Sequence, residues 1–201
     1  LLLATDPDCD RVGIAVRDGE DYVLLSGNEV GLLLLDFICR SRTALGNMPE
    51  KPIFVKTIVT MDLAKQIAAD FGEETVDVLT GFKFIGEQIG LLEKKGEESR
   101  FILGFEESYG YLAGEFVRDK DAVIASMLIA EMTLYYKEQG KSLYEALIEL
   151  YNRIGFFKED LISIELKGKE GQEKISKCLD LLRETALTEV DGVKVATRLD
   201  Y

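Results

Sequence analysis

Short apolar runs alternate with longer amphipathic stretches along this chain. Leu1–Thr5, Val12–Arg17 and Tyr22–Ser26 read as strands, separated by an acidic loop and by the turn Asp18-Gly19. Asn28 is placed to cap a helix from Glu29 to about Arg42, with Leu32, Leu35 and Ile38 or Cys39 facing inward. Gly46, Asn47, Pro49 and Pro52 then break the pattern over Thr43–Pro52, where a domain boundary is expected. Strands are predicted at Ile53–Val59, Thr75–Leu79 and Phe101–Phe105, and helices at Asp62–Phe71, Phe84–Lys95, Asp121–Glu138 and Leu143–Ile154. Val123, Met127, Ala130 and Leu134 mark one side of the longest helix. A last stretch repeats the alternation: strand Leu161–Leu166, helix Glu170–Glu184, strand Val193–Leu199. Strands interleaved with helices predict an α/β fold, with mixed sheets flanked by helices.

Composition narrows the chemistry. A length of 201 residues allows one or two domains with a real core, and 47% hydrophobic with 30% charged residues is ordinary for a globular chain. A net charge of −13 argues against nucleic acid and against anionic membrane surfaces as partners. No apolar run approaches the ~20 residues that span a bilayer. Histidine is absent, which removes His-dependent triads, histidine zinc sites and imidazole acid–base catalysis. Cys9, Cys39 and Cys178 are scattered without disulfide-like spacing, as expected in a reducing, cytoplasmic compartment. The chain opens inside an apolar run with no initiator Met, as expected of a piece of a longer protein.

Four loops carry chemistry. In Asp6-Pro7-Asp8-Cys9-Asp10-Arg11, alternate carboxylates can converge, and three hard oxygen donors favour Mg²⁺ or Ca²⁺ over zinc. A calcium helix–loop–helix fails because Arg11 and Arg17 stand where Gly and Glu are needed. A phosphatase loop of the haloacid-dehalogenase type also follows an apolar strand, although Asp10 replaces its Thr or Val. The bland alternative is an acidic turn whose carboxylates cap backbone N–H groups. Arg11 either neutralises its neighbours or holds a phosphoryl oxygen with its forked guanidinium. In Thr80-Gly81-Phe82-Lys83, Gly81 permits close backbone approach and Lys83 adds positive charge. In Gly104-Phe105-Glu106-Glu107-Ser108-Tyr109-Gly110, a carboxylate and a hydroxyl two residues apart suit vicinal sugar hydroxyls, though the loop could simply cap the next helix. In Arg118-Asp119-Lys120-Asp121, Asp121 is a helix cap, while Lys120 is either surface charge, a phosphate contact, or an acid–base group if neighbouring cations lower its pKa.

Taken in order, these four loops resemble the α-D-phosphohexomutase superfamily, with wording closest to bacterial phosphoglucomutase/phosphomannomutase enzymes. Gly27-Asn28-Glu29-Val30-Gly31 and Lys56-Thr57-Ile58-Val59-Thr60 extend the likeness. The resemblance implies residues 1–48 as the closing part of a second domain with a metal loop, 49–158 as a sugar-binding third domain, and 159–201 as the start of a fourth. It implies interconversion of hexose 1-phosphate and hexose 6-phosphate through an enzyme phosphoserine and a hexose 1,6-bisphosphate. Asp6, Asp8 and Asp10 would hold one Mg²⁺, with Arg11 and Lys120 beside the transferring phosphoryl group. Thr80, Lys83, Glu106 and Ser108 would hold the hexose phosphate. The phosphoserine loop and a distal phosphate loop would lie in other domains of the parent, so this chain alone is expected to be inactive. The competing classes are a metal-dependent phosphatase and a non-catalytic metal- or carbohydrate-binding module.

Overall fold

A computed structural model describes residues 1–157, 164–185 and 187–200. Two compact units result, Leu1–Lys158 and Glu159–Tyr201.

The first unit opens with an antiparallel sheet of β1 (Leu2–Thr5), β2 (Val12–Asp18) and β3 (Asp21–Leu25), in that order. Alternation places Val12, Ile14 and Val16 on a buried face, while Leu2, Tyr22 and Leu24 remain exposed. Thr5 pairs with Val12, so Asp6–Arg11 is a closed hairpin connection rather than an open loop. Helix α1 (Gly27–Leu45) follows. Its cap is Ser26, not Asn28. The Ser26 hydroxyl accepts from the Glu29 N–H, and Glu29 reaches back to the Ser26 N–H at 2.7 Å. Val30–Cys39 is buried throughout, not along a stripe. Gly46 in the left-handed region ends the helix.

A second sheet has the order β5 (Glu74–Val78), β4 (Ile53–Thr57), β6 (Phe101–Glu106), β7 (Gly110–Ala113). The first three strands are parallel and β7 runs antiparallel to β6. Helices α2 (Leu63–Asp70), α3 (Phe82–Glu93), α4 (Ala122–Glu138) and α5 (Leu143–Ile154) complete the unit. Parallel strands put the ends of β4, β5 and β6 at one edge, where ligands of open α/β sheets usually bind. Helix α1 packs both on β6 and on α5, which itself contacts β2, so no break between compact units falls in the Thr43–Pro52 stretch.

Further expectations need correction. The sequence pattern predicts no strand where β7 lies. On α4 the buried positions are Ala122, Ala125, Ile129, Met132 and Tyr136, whereas Val123, Met127 and Leu134 are at least half exposed. A helix apolar nearly all round gives no preferred stripe from sequence alone. In the second unit, α6 (Gly168–Glu184) is present with a small hairpin of β8 (Glu189–Val190) and β9 (Val193–Lys194). The strand expected at Leu161–Leu166 lies partly outside the described residues, and Ile164–Leu166 is irregular. The last strand ends at Lys194 rather than Leu199. No described helix is long and apolar enough to cross a membrane.

One buried acid gives the first unit a pH signature. The Cys39 thiol donates to Glu73 Oε1 at 3.1 Å, while Glu73 Oε2 is buried with no hydrogen bond. Burial pushes Glu73 up from 4.5 to about 7, only partly opposed by Cys39 and Arg42. The unfolded chain releases this proton near its ordinary value and the folded chain near 7. The group's stabilising effect is therefore complete at acid pH and lost as pH rises between the two, by about 3 kcal/mol. Urea titrations should show Glu73→Gln gaining on the wild type by that amount between pH 4.5 and pH 8. A difference independent of pH would rule out the buried, proton-holding Glu73.

Candidate functional site

The acidic hairpin is wound around the Asp6 carboxylate. Asp6 Oδ1 accepts the N–H groups of Asp10 (3.2 Å) and Arg11 (3.1 Å), and Oδ2 accepts Arg11 Nε at 2.7 Å. Burial works to raise Asp6, but the bonds from Arg11 and Asp10 outweigh it and hold the carboxyl at about 2. Cys9 makes the turn with φ 58°, a conformation uncommon for a residue with a Cβ. One carboxylate oxygen each from Asp6, Asp8 and Asp10 then falls within 4.8 Å of the others.

These donors suit a hard cation. All three are carboxylate oxygens, and Asp10 Oδ1 is buried without a hydrogen bond. Its nearest cation is Arg11 Nε at 3.7 Å, too far to hydrogen-bond; a buried carboxylate oxygen without a hydrogen bond is costly, and a cation at the convergence point would satisfy it. Asp6 thus serves in part as the backbone cap of the bland reading, but that reading leaves Asp10 Oδ1 unexplained.

Three of the four loops meet here. The Val12 N–H donates to the Tyr109 carbonyl at 3.2 Å, and Arg11 forms an isolated bridge with Gly110. The Ala122 N–H donates to the Cys9 carbonyl at 3.3 Å, and Asp121 N–H to the Tyr111 carbonyl at 3.0 Å. Asp121 caps α4 by accepting from Val123 and Ile124 N–H groups. Lys120 Nζ stands 3.0 Å from Asp10 Oδ2 and 5.6 Å from the centre of the Phe82 ring. A Cβ on Gly110 would lie 2.5 Å from the Lys120 stem and 2.7 Å from Glu106 Oε1, so Gly110 lets both side chains pack against the same point of backbone. In the sequence Gly110 reads only as the end of a loop. In the structure it is the first residue of β7.

Glu106 closes β6 and is buried. Burial raises its pKa, against the pull of Lys120 and Ser108. The expectation that neighbouring cations lower Lys120 is overturned. Burial does work downward, but Asp10, Asp119 and Glu106 outweigh it and raise the pKa, so Lys120 is a fixed ammonium at neutral pH. Arg11 pairs with Asp6 at 2.7 Å and lies 3.7 Å from Asp10, its side chain half exposed.

The fourth loop joins less closely. Thr80 and Lys83 flank the start of α3 and are exposed, with Lys83 Nζ 4.7 Å from the centre of the Phe84 ring. Among the described residues neither bonds the carboxylates. The loop's link to the cluster is Phe82, beneath Lys120. Two clefts flank the hairpin. One, of about 270 Å³, is lined by Asp6, Arg11 and Tyr109 among others, and one of about 490 Å³ by Cys9, Arg118 and Lys120.

Residues 26–154 match the family described as phosphoglucomutase/phosphomannomutase, alpha/beta/alpha domain III. The match begins at Ser26 and so takes in α1, ahead of the boundary expected at residue 48. The chain is 36% identical over 203 residues to a phosphoglucomutase of Staphylococcus haemolyticus strain JCSC1435, and 38% over 202 residues to one of Staphylococcus aureus strain USA300. In both cases all of this chain is covered, against 36% and 35% of the relative. The chain thus spans little more than a third of the length of these curated relatives. Among solved structures, a candidate phosphomannomutase from Thermus thermophilus superposes with a TM-score of 0.57 at 27% identity, covering 75% of this chain and 30% of that one.

Proposed function

Because the chain belongs to the phosphoglucomutase/phosphomannomutase family, we propose that it forms the metal loop and sugar-binding domain of a longer phosphohexomutase that interconverts hexose 1-phosphate and hexose 6-phosphate. The reading is carried by one juxtaposition: the Lys120 ammonium pairs with Asp10 of the acidic hairpin, while its stem and Glu106 Oε1 both pack over Gly110 at the end of the β6–β7 loop. Phosphoryl chemistry and hydroxyl recognition then share a single site. Residues 1–48 would close a second domain, 49–158 would form the sugar domain and 159–201 would open a fourth. With the family match starting at Ser26, α1 is better counted with the sugar domain.

In this reading a phosphoserine elsewhere in the protein gives its phosphoryl group to a hexose monophosphate. The resulting 1,6-bisphosphate turns around and returns its other phosphoryl group to the serine. Asp6, Asp8 and Asp10 would hold one Mg²⁺, which when bound supplies charge stabilisation to the transferring group. Arg11 and Lys120 add fixed positive charge at the same place. Glu106 accepts a sugar hydroxyl and Ser108 either accepts or donates, which lets one loop grip either end of a turned bisphosphate. Thr80 and Lys83 stand at the same sheet edge to meet the more distant phosphate. These local cations offset a chain whose net charge of −13 repels sugar phosphate, since repulsion beyond about 8 Å is screened at physiological salt. A phosphatase with Asp6 as nucleophile is disfavoured, because the chain belongs to the phosphoglucomutase/phosphomannomutase family and Asp10 stands where the phosphatase loop has Thr or Val. A cytoplasmic site of action fits the three free cysteines.

The test is ³¹P NMR of the full-length protein with Mg²⁺, a trace of glucose 1,6-bisphosphate, and glucose 1-phosphate or mannose 1-phosphate. The expected result is conversion to the 6-phosphate without release of inorganic phosphate. Phosphate release, or no conversion of either sugar, would overturn the proposal.

A further inference from the structure

The two motifs that the chemistry leaves unused, Gly27–Gly31 and Lys56–Thr60, both touch the β6–β7 loop. Gly27 opens α1 with its Cα against that loop's backbone. A Cβ there would collide with the Glu107 carbonyl oxygen and lie 2.8 Å from both Glu107 C and Tyr109 N. These neighbours are main-chain atoms and cannot swing aside as a side chain would. The Tyr111 hydroxyl donates to the Gly27 carbonyl at 3.1 Å, and Gly31 lies against the Phe105 ring. The same helix turn also reaches the β4 loop, because Asn28 Oδ1 accepts the Met61 N–H at 3.2 Å.

On the other side, the Thr57 hydroxyl is 3.4 Å from Glu107 Oε2 and 2.7 Å from the Thr60 hydroxyl. Thr57 is fixed from beneath. The neighbouring Lys56 is fully buried, and its ammonium donates to the Thr57 and Thr60 carbonyls at 3.2 and 2.7 Å and pairs with Asp62 at 3.0 Å and Asp77 at 3.2 Å. A lysine is almost never this buried unless paired, and here the pairing locks the turn that presents Thr57.

We infer that Gly27 and Thr57 are positioning residues that hold Glu107 from two sides and so set where Glu106 and Ser108 point into the site. Neither touches the reacting group; each acts through the loop backbone or the Glu107 carboxylate. The inference rests on the proposed mutase reading. For Thr57, which reaches only the Glu107 carboxylate, it predicts a loss of substrate recognition while metal binding stays intact, because the carboxylates of the acidic hairpin are organised by Asp6 and Arg11.

Kinetics of the full-length protein test it with three variants. Gly27→Ala should shift the loop backbone and lower kcat/KM by about a hundred-fold, since misplacement by an ångström has that order of effect. Thr57→Val, which keeps the volume but removes the hydroxyl, should raise KM roughly ten-fold with a smaller change in kcat. Thr57→Ser, which restores the hydroxyl, should recover most of that KM. Mn²⁺ affinity should match the wild type in both Thr57 variants, and thermal unfolding shows whether Gly27→Ala remains folded. If it does not, the Thr57 pair decides. Equal KM values for Thr57→Val and the wild type, or no recovery with Thr57→Ser, would overturn the inference. A wild type with no mutase turnover would instead strike the proposed function, so the two failures are distinguishable.

Discussion

Asp10→Asn should reduce hexose phosphate turnover of the full-length protein roughly a thousand-fold, the size expected when several kcal/mol of phosphoryl-charge stabilisation is removed. Asp10 does two things that an amide cannot. Its buried Oδ1 has no hydrogen bond and is left for a cation, and its Oδ2 takes the Lys120 ammonium at 3.0 Å. The Asn amide would direct N–H groups either at the cation's place or at an ammonium. The hairpin backbone should survive, because the Asp10 N–H bond to Asp6 does not depend on the side chain. Steady-state kinetics at saturating Mg²⁺, beside a circular dichroism melt, check this. Turnover within three-fold of the wild type would remove Asp10 from the site.

Glu106→Gln should lower kcat/KM ten- to a hundred-fold in both directions, matching the loss of a charge-assisted hydrogen bond of about 1.5–3 kcal/mol. The carboxyl is buried at the end of β6 under the pull of Lys120 and Ser108, so an amide keeps the shape and loses the charge. A site built to bond a hydroxyl suffers from the change in both substrate orientations, because its buried groups are left unpaired. Metal affinity should hold, but not because the two loops lie apart. They are bridged by the Val12 N–H to Tyr109 carbonyl bond, and an isosteric change at Glu106 leaves that main-chain bond alone. Forward and reverse assays with a metal titration decide it. An effect in one direction only, or on metal binding only, would mean Glu106 does not grip hydroxyls in both orientations.

What can be read from the sequence is local. Alternating aspartates after an apolar run point to the acidic hairpin, and Asp121 declares itself as a cap, because both depend on residues only a few positions apart. What cannot be read is set by distant packing. Asn28 looks like a cap, yet its side chain serves Met61, 33 residues away, while Ser26 with Glu29 makes the capping box. On α4, apolar residues on every side hide the buried face. Lys120 sits among cations in sequence terms, Arg118 being nearby, but the fold surrounds it with Asp10, Asp119 and Glu106 and reverses the expected pKa direction. β7 is four residues long and follows a turn made by Tyr109 at φ 69°, a conformation no pattern of Tyr residues advertises.

The claim on which the rest depends is that Asp6, Asp8 and Asp10 together hold one divalent ion. Free Mn²⁺ gives a sharp six-line EPR spectrum that broadens away on binding, so titrating the ion into the full-length protein counts its sites directly. The wild type should remove one ion per chain more than the variant carrying Asp6→Asn, Asp8→Asn and Asp10→Asn. Equal uptake by the two proteins would contradict the metal centre.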